Sequence, residues 1–294
     1  MKIILTGSLG NISKPLAAHL VAQGQEVTII SSDSKKSEKI INMGAVPAIG
    51  SVTNETFLIE TFTGADLVYL MVPNDFSVAD LKGYIKQIGV HYANAIKAAG
   101  VKKIVLLSSI GAHLANGTGP IEGLHAVEQI FRKLQEIDIL FLRPAYFYNN
   151  LYANIDLIKN AGIIGANYPA NSPIVLVDPA DIASFAAKNI ASGFSGHGTL
   201  YIASDKRSLK EVAAQIGKAI DKPELPWVEF SDEQALAGMI GAGLPEEIAK
   251  NYVEMGNAIK SGILWEDFDL NKIEAKGETK LEDFAVKFAS VYQN

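Results

Sequence analysis

The chain has 294 residues, no cysteine and a net charge of −6, with 48% apolar and 20% charged residues. Without cysteine there are no disulfides, thiol nucleophiles or thiolate metal sites, and the acidic balance excludes a general nucleic-acid binder, which needs a basic footprint. No run of about 18 apolar residues is present to span a bilayer, and Met1-Lys2 followed by three apolar residues reads as a strand rather than a signal peptide, so a cytoplasmic protein is expected.

Residues 3–5 are apolar without polar alternation, the pattern of a strand buried on both faces of a parallel sheet. The run stops at Gly7. Ile12, Leu16, Ala17 and Leu20 then recur at spacings of three and four, the period of a helix. Strand, glycine turn and helix make the first half of a βαβ unit, whose helix N-terminus can hold a pyrophosphate on free N–H groups. The turn reads Gly7-x-x-Gly10-x-x-Ser13. Gly7 permits the tight turn, Gly10 lets backbone approach phosphate, and Ser13 is small enough for the helix to lie on the strand. Pro15 fits only a first helical turn, which puts the helix start near residues 12–14. Glycine spacing alone is a weak signal among 25 glycines, and an ordinary βα turn competes with it. Position directly after a buried strand favours phosphate.

Residues 27–30 read as the second strand. The stretch after it, Ser31-Ser32-Asp33-Ser34-Lys35-Lys36, lies where an adenosine ribose would sit. An acid there bonds a free 2′-hydroxyl, and a base accommodates a 2′-phosphate. Asp33 comes late for the ribose, whereas Ser32 and Lys36 suit a phosphate; the pattern leans to NADP(H) and leaves NAD(H) open. Residues 45–49 predict a third strand that Pro47 confines to an edge or a strand end, and 54–62 a helix with Thr53 as N-cap. Residues 66–72 form the fourth strand. Ligands bind at the carboxyl ends of parallel strands, so Met71, Val72 and Pro73 either line a cofactor or merely end a strand in a turn.

A helix over 90–99 closes at Gly100, and 103–107 is the fifth strand. Ser108 and Ser109 follow it, placed to meet a substrate or a nicotinamide amide, or else to cap the turn. A helix over 121–135 and a sixth strand over 139–142, ending in Arg143-Pro144, complete five βα units. Residues 1–149, with 173–203 returning to the sheet, thus predict an α/β fold with a doubly wound parallel Rossmann sheet. The texture then changes. Tyr146, Phe147, Tyr148 and Asn149 crowd with Asn150 and Tyr152, either to orient a flat ligand or to pack the hinge of a second lobe. A strand over 174–177 leads to a helix with Asp178 and Asp181 as candidate caps, and 199–203 is a further short strand. Beyond residue 208 the pattern is amphipathic helix. Residues 150–172 and 204–294 predict a smaller, mostly helical C-terminal lobe that binds substrate over the carboxyl edge of the sheet.

Several segments together resemble one known family: Thr6-Gly7-Ser8-Leu9-Gly10-Asn11-Ile12; Gly100-Val101-Lys102-Lys103-Ile104-Val105 running into Ser108-Ser109; Leu142-Arg143-Pro144-Ala145-Tyr146-Phe147 with Asn149-Asn150; Val177-Asp178-Pro179-Ala180-Asp181-Ile182-Ala183; and Gly243-Leu244-Pro245. The resemblance is to the NmrA-like, atypical short-chain dehydrogenases, and within them to the NAD(P)H:quinone oxidoreductase and triphenylmethane reductase branch. It covers nearly the whole chain. It implies a Rossmann fold, a bound NADP(H) or NAD(H), and a small-substrate pocket under the C-terminal lobe. It also implies that main-chain amides from Gly7 through Ser8, Leu9, Gly10 and Asn11 to Ile12 hold the pyrophosphate, and that Lys36 meets the 2′-phosphate. Ser32 stands where the family usually has an arginine, and Ser51 where an acid is common.

The wider superfamily's Tyr-x-x-x-Lys pair is absent from the helix after the fifth strand, which reads Gly123-Leu124-His125-Ala126-Val127-Glu128-Gln129-Ile130. His125, with Glu128 at i+3 on the same face, is the nearest titratable group: either a proton donor to a reduced quinone or a partly exposed helix histidine. Without the pair, alcohol dehydrogenation and sugar-nucleotide epimerisation are disfavoured. Hydride transfer to quinones or cationic dyes is not, because the cofactor carries that chemistry. Two functions compete: an NAD(P)H-dependent oxidoreductase acting on a small-molecule electron acceptor, and a non-catalytic regulator that senses the dinucleotide. No metal, membrane or nucleic-acid partner is expected, and the chain is expected as a monomer or homodimer.

Overall fold

The computed structural model describes residues 1–293. In chain order its strands are β1 (Lys2–Leu5), β2 (Glu26–Ser31), β3 (Val46–Ile49), β4 (Leu67–Leu70), β5 (Lys103–Leu107), β6 (Asp138–Pro144), β7 (Tyr146–Phe147), β8 (Ile164–Ala166), β9 (Pro173–Val177), β10 (His197–Ile202), β11 (Asp205–Ser208) and β12 (Trp227–Glu229). The first helices are α1 (Ser13–Ala22), α2 (Ser37–Asn42), α3 (Glu55–Phe62), α4 (Leu81–Ala99), α5 (Ile121–Phe131) and α6 (Ile155–Ala161). Then come α7 (Pro179–Ser192), α8 (Leu209–Ala219), α9 (Asp232–Gly241), α10 (Glu246–Ser261), α11 (Glu266–Leu270) and α12 (Leu281–Tyr292).

Seven parallel strands form the central sheet in the order β10-β6-β5-β4-β1-β2-β3. Chain order reverses direction at β1, so the loops after β1 and β4 part there and leave a crevice at their carboxyl ends. β1 illustrates the packing. Ile3 and Leu5 enter one hydrophobic cluster and Ile4 the other, and all three are fully buried, as alternate residues of a doubly covered strand must be. Helices α1 and α7 cover one face; α3, α4 and α5 cover the other. Helices α4 and α5 approach so closely at Gly89 that a Cβ there would lie 2.6 Å from Val127 Cγ2. Pro47 lies in β3, the edge strand it tolerates.

Several boundaries differ from the sequence expectation. Helix α4 starts at Leu81 rather than 90, because the Asp80 carboxylate accepts from Gly83 N at 2.9 Å and the buried stripe Leu81, Ile85, Ile88, Tyr92 is continuous. Gly83 and Gly89, poor helix formers, disguise it. Asn54, not Thr53, caps α3, accepting from Phe57 N at 3.1 Å. Helix α5 ends at Phe131, where Leu134 N turns back to the Phe131 carbonyl at 2.9 Å. Of residues 173–203, only β10 returns to the central sheet. After Pro144 ends β6 the chain turns away, and β7 pairs with β9, which also pairs with β11, in a separate three-stranded sheet.

The C-terminal lobe is fastened through its aromatic residues and two acids. Tyr148 stacks on Phe284 of α12 at 4.9 Å and 10°, and Tyr152 on Phe288 at 5.5 Å. Asp178 caps α7, accepting from Ala180 N at 2.8 Å. Asp181 does not cap: it accepts from Ser204 Oγ at 2.5 Å and from Thr279 N at 3.1 Å, clamping the segment before α12. No helix among the described residues is long and apolar enough to cross a membrane. No group of three His, Asp or Glu among them is placed to hold a metal.

Candidate functional site

The turn after β1 has the geometry its glycines imply. Gly7 takes φ +88° and Ser8 φ +53°, the left-handed region that favours glycine. Gly10 N donates to the Gly7 carbonyl at 3.1 Å, and Ser8 N to the Ile30 carbonyl of β2 at 3.1 Å. A Cβ on Gly7 would lie 2.5 Å from Ser13 Oγ and 2.7 Å from Met71 Cγ, whereas one on exposed Gly10 would meet only the Gly7 carbonyl, at 3.0 Å. Ser13, buried, donates its hydroxyl to the Thr6 carbonyl at 2.9 Å, tying α1 to β1. Ile12, at the N-cap, supplies no side-chain cap, and the first turn carries no acid. Lys14 N is spent on the Gly10 carbonyl at 3.1 Å and Pro15 has no N–H, so what α1 presents at this end is the positive end of its dipole, with neither an acid nor a side-chain cap to offset it. Leu9 and Asn11 complete the loop, Leu9 packing against the core and Asn11 exposed.

Around this turn the structure gathers the second-strand and fourth-strand residues. Ser8 Oγ meets Ser31 Oγ at 2.9 Å. Ser32 is exposed and Lys36 half-buried. The Asp33 carboxylate accepts from Lys35 N at 3.0 Å and so caps its own short turn. Across the crevice, Thr6 Oγ1 accepts from Met71 N at 2.7 Å, and Tyr92 OH donates to the Met71 carbonyl at 2.8 Å. That holds Met71, with half-buried Val72 and Pro73 after it, beside Gly7.

At the carboxyl end of β5 the two serines divide. Ser109 is half-buried. Ser108 is buried and donates to Glu128 Oε1 at 2.6 Å. Glu128, fully buried, also accepts from Arg143 Nε at 2.9 Å and Nη2 at 2.7 Å, and from Arg132 Nη2 at 2.9 Å. Arg143 reaches on to Tyr201 OH at 2.7 Å and to Asp267 of α11 at 3.3 Å, while Tyr201 OH donates to Asp267. Burial opposes the Glu128 carboxylate, but the Arg143 hydrogen bonds and charge outweigh it and hold the carboxyl below its usual range. Glu128 thus serves Arg143 rather than His125. His125 Nδ1 instead donates to the Ala112 carbonyl at 2.9 Å, which leaves Nε2 as the nitrogen able to exchange a proton.

The aromatic crowd separates as well. Tyr148 is fully buried against Phe284, which takes its ring out of reach of a ligand. Phe147 and Asn149 are half-buried. Tyr146 lies beside Tyr168 and Tyr252, and burial pushes its hydroxyl up to about 12. Tyr252 of α10 meets Phe76 of the loop after β4 edge-on at 6.2 Å. Tyr146, Tyr168, Tyr252 and Phe76 therefore make an aromatic wall between sheet edge and lobe. Sequence reasoning missed Tyr168, Tyr252, His113 and the Glu128–Arg143 pair. A lone acid and a lone arginine within apolar core segments were the signal for the last. The groove of about 380 Å³ lined by His19, Gln23, Ser184 and Lys188 lies at the far end of α1 from the glycine turn.

No curated protein is significantly similar in sequence. Solved structures share the fold over almost the full length. Triphenylmethane reductase of Citrobacter sp. superposes with a TM-score of 0.82 at 20% identity, covering 99% of this chain and 100% of that one. The NADPH-dependent quinone oxidoreductase of Escherichia coli, complexed with NADPH, gives 0.81 at 20%, covering 99% and 100%. A nucleoside-diphosphate-sugar epimerase of Staphylococcus aureus gives 0.78 at 17%, covering 97% and 100%. At these identities the likeness is one of fold, which many chemistries share. The family model is more specific, because it spans the glycine turn, the strand ends and the lobe in one match over residues 1–287: the chain belongs to the NmrA-like family.

Proposed function

We propose that this chain is an NAD(P)H-dependent oxidoreductase that reduces a quinone or a similar electron-poor small molecule. The observation that carries the proposal is the turn at Gly7–Gly10, clear on its outer face and leading into an uncapped, acid-free helix start. A diphosphate would lie there on the main-chain amides of Leu9, Asn11 and Ile12, while Ser8 N and Gly10 N, spent on the Ile30 and Gly7 carbonyls, fix the loop. Asp33 is spent on its own turn, so Ser32 and Lys36 form the ribose edge, and NADPH is the preferred cofactor over NADH. Met71, Val72, Pro73 and Ser109 would line the nicotinamide end. When bound, the cofactor supplies hydride; the protein orients the acceptor and excludes water. Tyr146, with Phe147 and Asn149 behind it, belongs to the substrate side of the crevice, under a lobe formed by residues 150–172 and 204–294. Lack of the Tyr-x-x-x-Lys pair removes the proton relay that an epimerase or alcohol dehydrogenase needs. The same lack favours a dinucleotide sensor as the second reading.

Purified protein mixed with NADPH or NADH and a panel of quinones is expected to oxidise the nucleotide only when an acceptor is present, as followed at the nicotinamide absorbance band. Tight nucleotide binding with no oxidation would establish the sensor instead. His125 is proposed to return a proton to the reduced acceptor through Nε2. His125→Gln is expected to lower kcat by about tenfold or more with little change in nucleotide affinity; unchanged turnover would remove His125 from the chemistry.

A further inference from the structure

We propose that His113 is the hydrogen-bond donor to the carbonyl oxygen of a bound quinone, and so selects quinones among electron-poor acceptors. The proposal rests on the reductase reading above and adds the group that recognises the acceptor. His113 lies in the segment joining β5 to α5, on the carboxyl side of a central strand. Gly111 turns that segment at φ +82°, and a Cβ there would lie 2.5 Å from Leu264 Cδ2. The loop is thus pressed between sheet edge and C-terminal lobe, where a substrate of this fold must sit.

Both ring nitrogens of His113 are buried and have no partner, and no other histidine among the described residues is left so. His125 is held by the Ala112 carbonyl, His197 by the Leu134 carbonyl, and His91 by Gln87. The charged groups facing His113 are Asp267, Arg143, Glu266 and Glu128. Three of them are engaged elsewhere: Glu128 with Ser108 and two arginines, Arg143 with Glu128, Tyr201 and Asp267, and Asp267 additionally with Asn271. Glu266 is exposed. Buried polar atoms without partners are disfavoured, so this imidazole is set aside for something that arrives.

Burial holds the ring below the usual histidine range, with Arg143 adding to the effect and Asp267 opposing it. At neutral pH it is an uncharged imidazole with one N–H donor. A quinone carbonyl only accepts. As two electrons and a hydrogen nucleus reach the quinone, negative charge collects on that oxygen and the N–H bond to it strengthens. The ring keeps its proton; the one that completes the hydroquinone comes from His125 or water. A cationic triphenylmethane dye has no carbonyl oxygen to receive this bond.

The test compares His113→Phe, which keeps a ring and removes both nitrogens, with His113→Gln, which restores a donor. Steady-state rates are measured with a benzoquinone and a triphenylmethane dye, alongside NADPH affinity and melting temperature. For Phe, kcat/KM for the quinone is expected to fall by about tenfold or more, and the quinone-to-dye ratio to fall with it; Gln should recover much of the loss. NADPH affinity should stay within about twofold in both. Quinone turnover unchanged in the Phe variant would overturn the proposal, as would equal losses for Phe and Gln accompanied by equal drops in melting temperature. If the unchanged protein binds NADPH but reduces no acceptor, the reductase reading itself falls and His113 loses its role with it. Turnover that survives both substitutions removes His113 alone.

Discussion

Replacing Glu128 by Ala is expected to lower the unfolding free energy by about 3–5 kcal/mol, the range for removing one partner of a buried ion pair. The magnitude follows from what is left behind. The Arg143 guanidinium, with 7% of its side chain exposed, would keep only Tyr201 OH and the longer contact to Asp267 at 3.3 Å. Ser108 would lose the acceptor for its buried hydroxyl. Arg132 contributes less to the loss, because its side chain is 35% exposed and water can replace the carboxylate. Urea unfolding at pH 7 measures the difference. The acid limb supplies a second check. The folded-state carboxyl of Glu128 is held below its unfolded value, so its contribution is fully present above about pH 4.3 and is lost as pH falls through the lower folded value. The unchanged protein should therefore lose stability on acidification over that window more steeply than Glu128→Ala. Equal slopes, or a loss below about 1 kcal/mol at pH 7, would mean that the arginines find other partners.

Gly10→Val is expected to weaken NADPH binding by about 100-fold, or about 2.7 kcal/mol, while shifting the melting temperature by only a few degrees. The two effects separate because of where the new atoms go. Gly10 is exposed and a Cβ there has one protein neighbour, the Gly7 carbonyl at 3.0 Å. On the proposed cofactor reading, the remaining bulk enters the space that the phosphates would need. Gly7 is a different case: its φ of +88° and the 2.5 Å approach to Ser13 Oγ make the turn itself fail on substitution. Calorimetric titration with NADPH and a thermal melt on the same sample distinguish the two. Undiminished affinity in Gly10→Val would show that the dinucleotide does not lie on this turn.

How much of this protein is legible in its residues depends on the range of the forces involved. Ile3, Ile4 and Leu5 declare a doubly buried strand because three consecutive apolar residues have no solvent face to offer. The fifth strand, Lys103–Leu107, has the bounds that its pattern predicts. The glycine turn is equally legible, since φ above zero and clearance over Gly10 are demands of a few consecutive residues. Pro15 likewise locates the start of α1 by itself.

The remainder lies beyond any local pattern. Nothing within residues 173–177 says that this strand joins β7 and β11 instead of the central sheet; the choice is made by where Pro144 turns the chain. Glu128 next to His125 reads as its partner at i+3, yet the tighter bonds go to an arginine 15 positions on, because a buried carboxylate needs charge and donors together. Tyr148 becomes part of the lobe packing only when Phe284 is brought against it. His113 stands out in no motif. Its two bare nitrogens acquire meaning once Arg143 and Asp267, 124 positions apart, have closed on each other beside it. Sequence alone determined the first six strands of the central sheet and the glycine turn after β1, whose signals are periodic or confined to one loop. Tertiary structure alone decided which polar side chains are spent on one another and which keep no partner, because that selection is a competition among groups far apart in the chain.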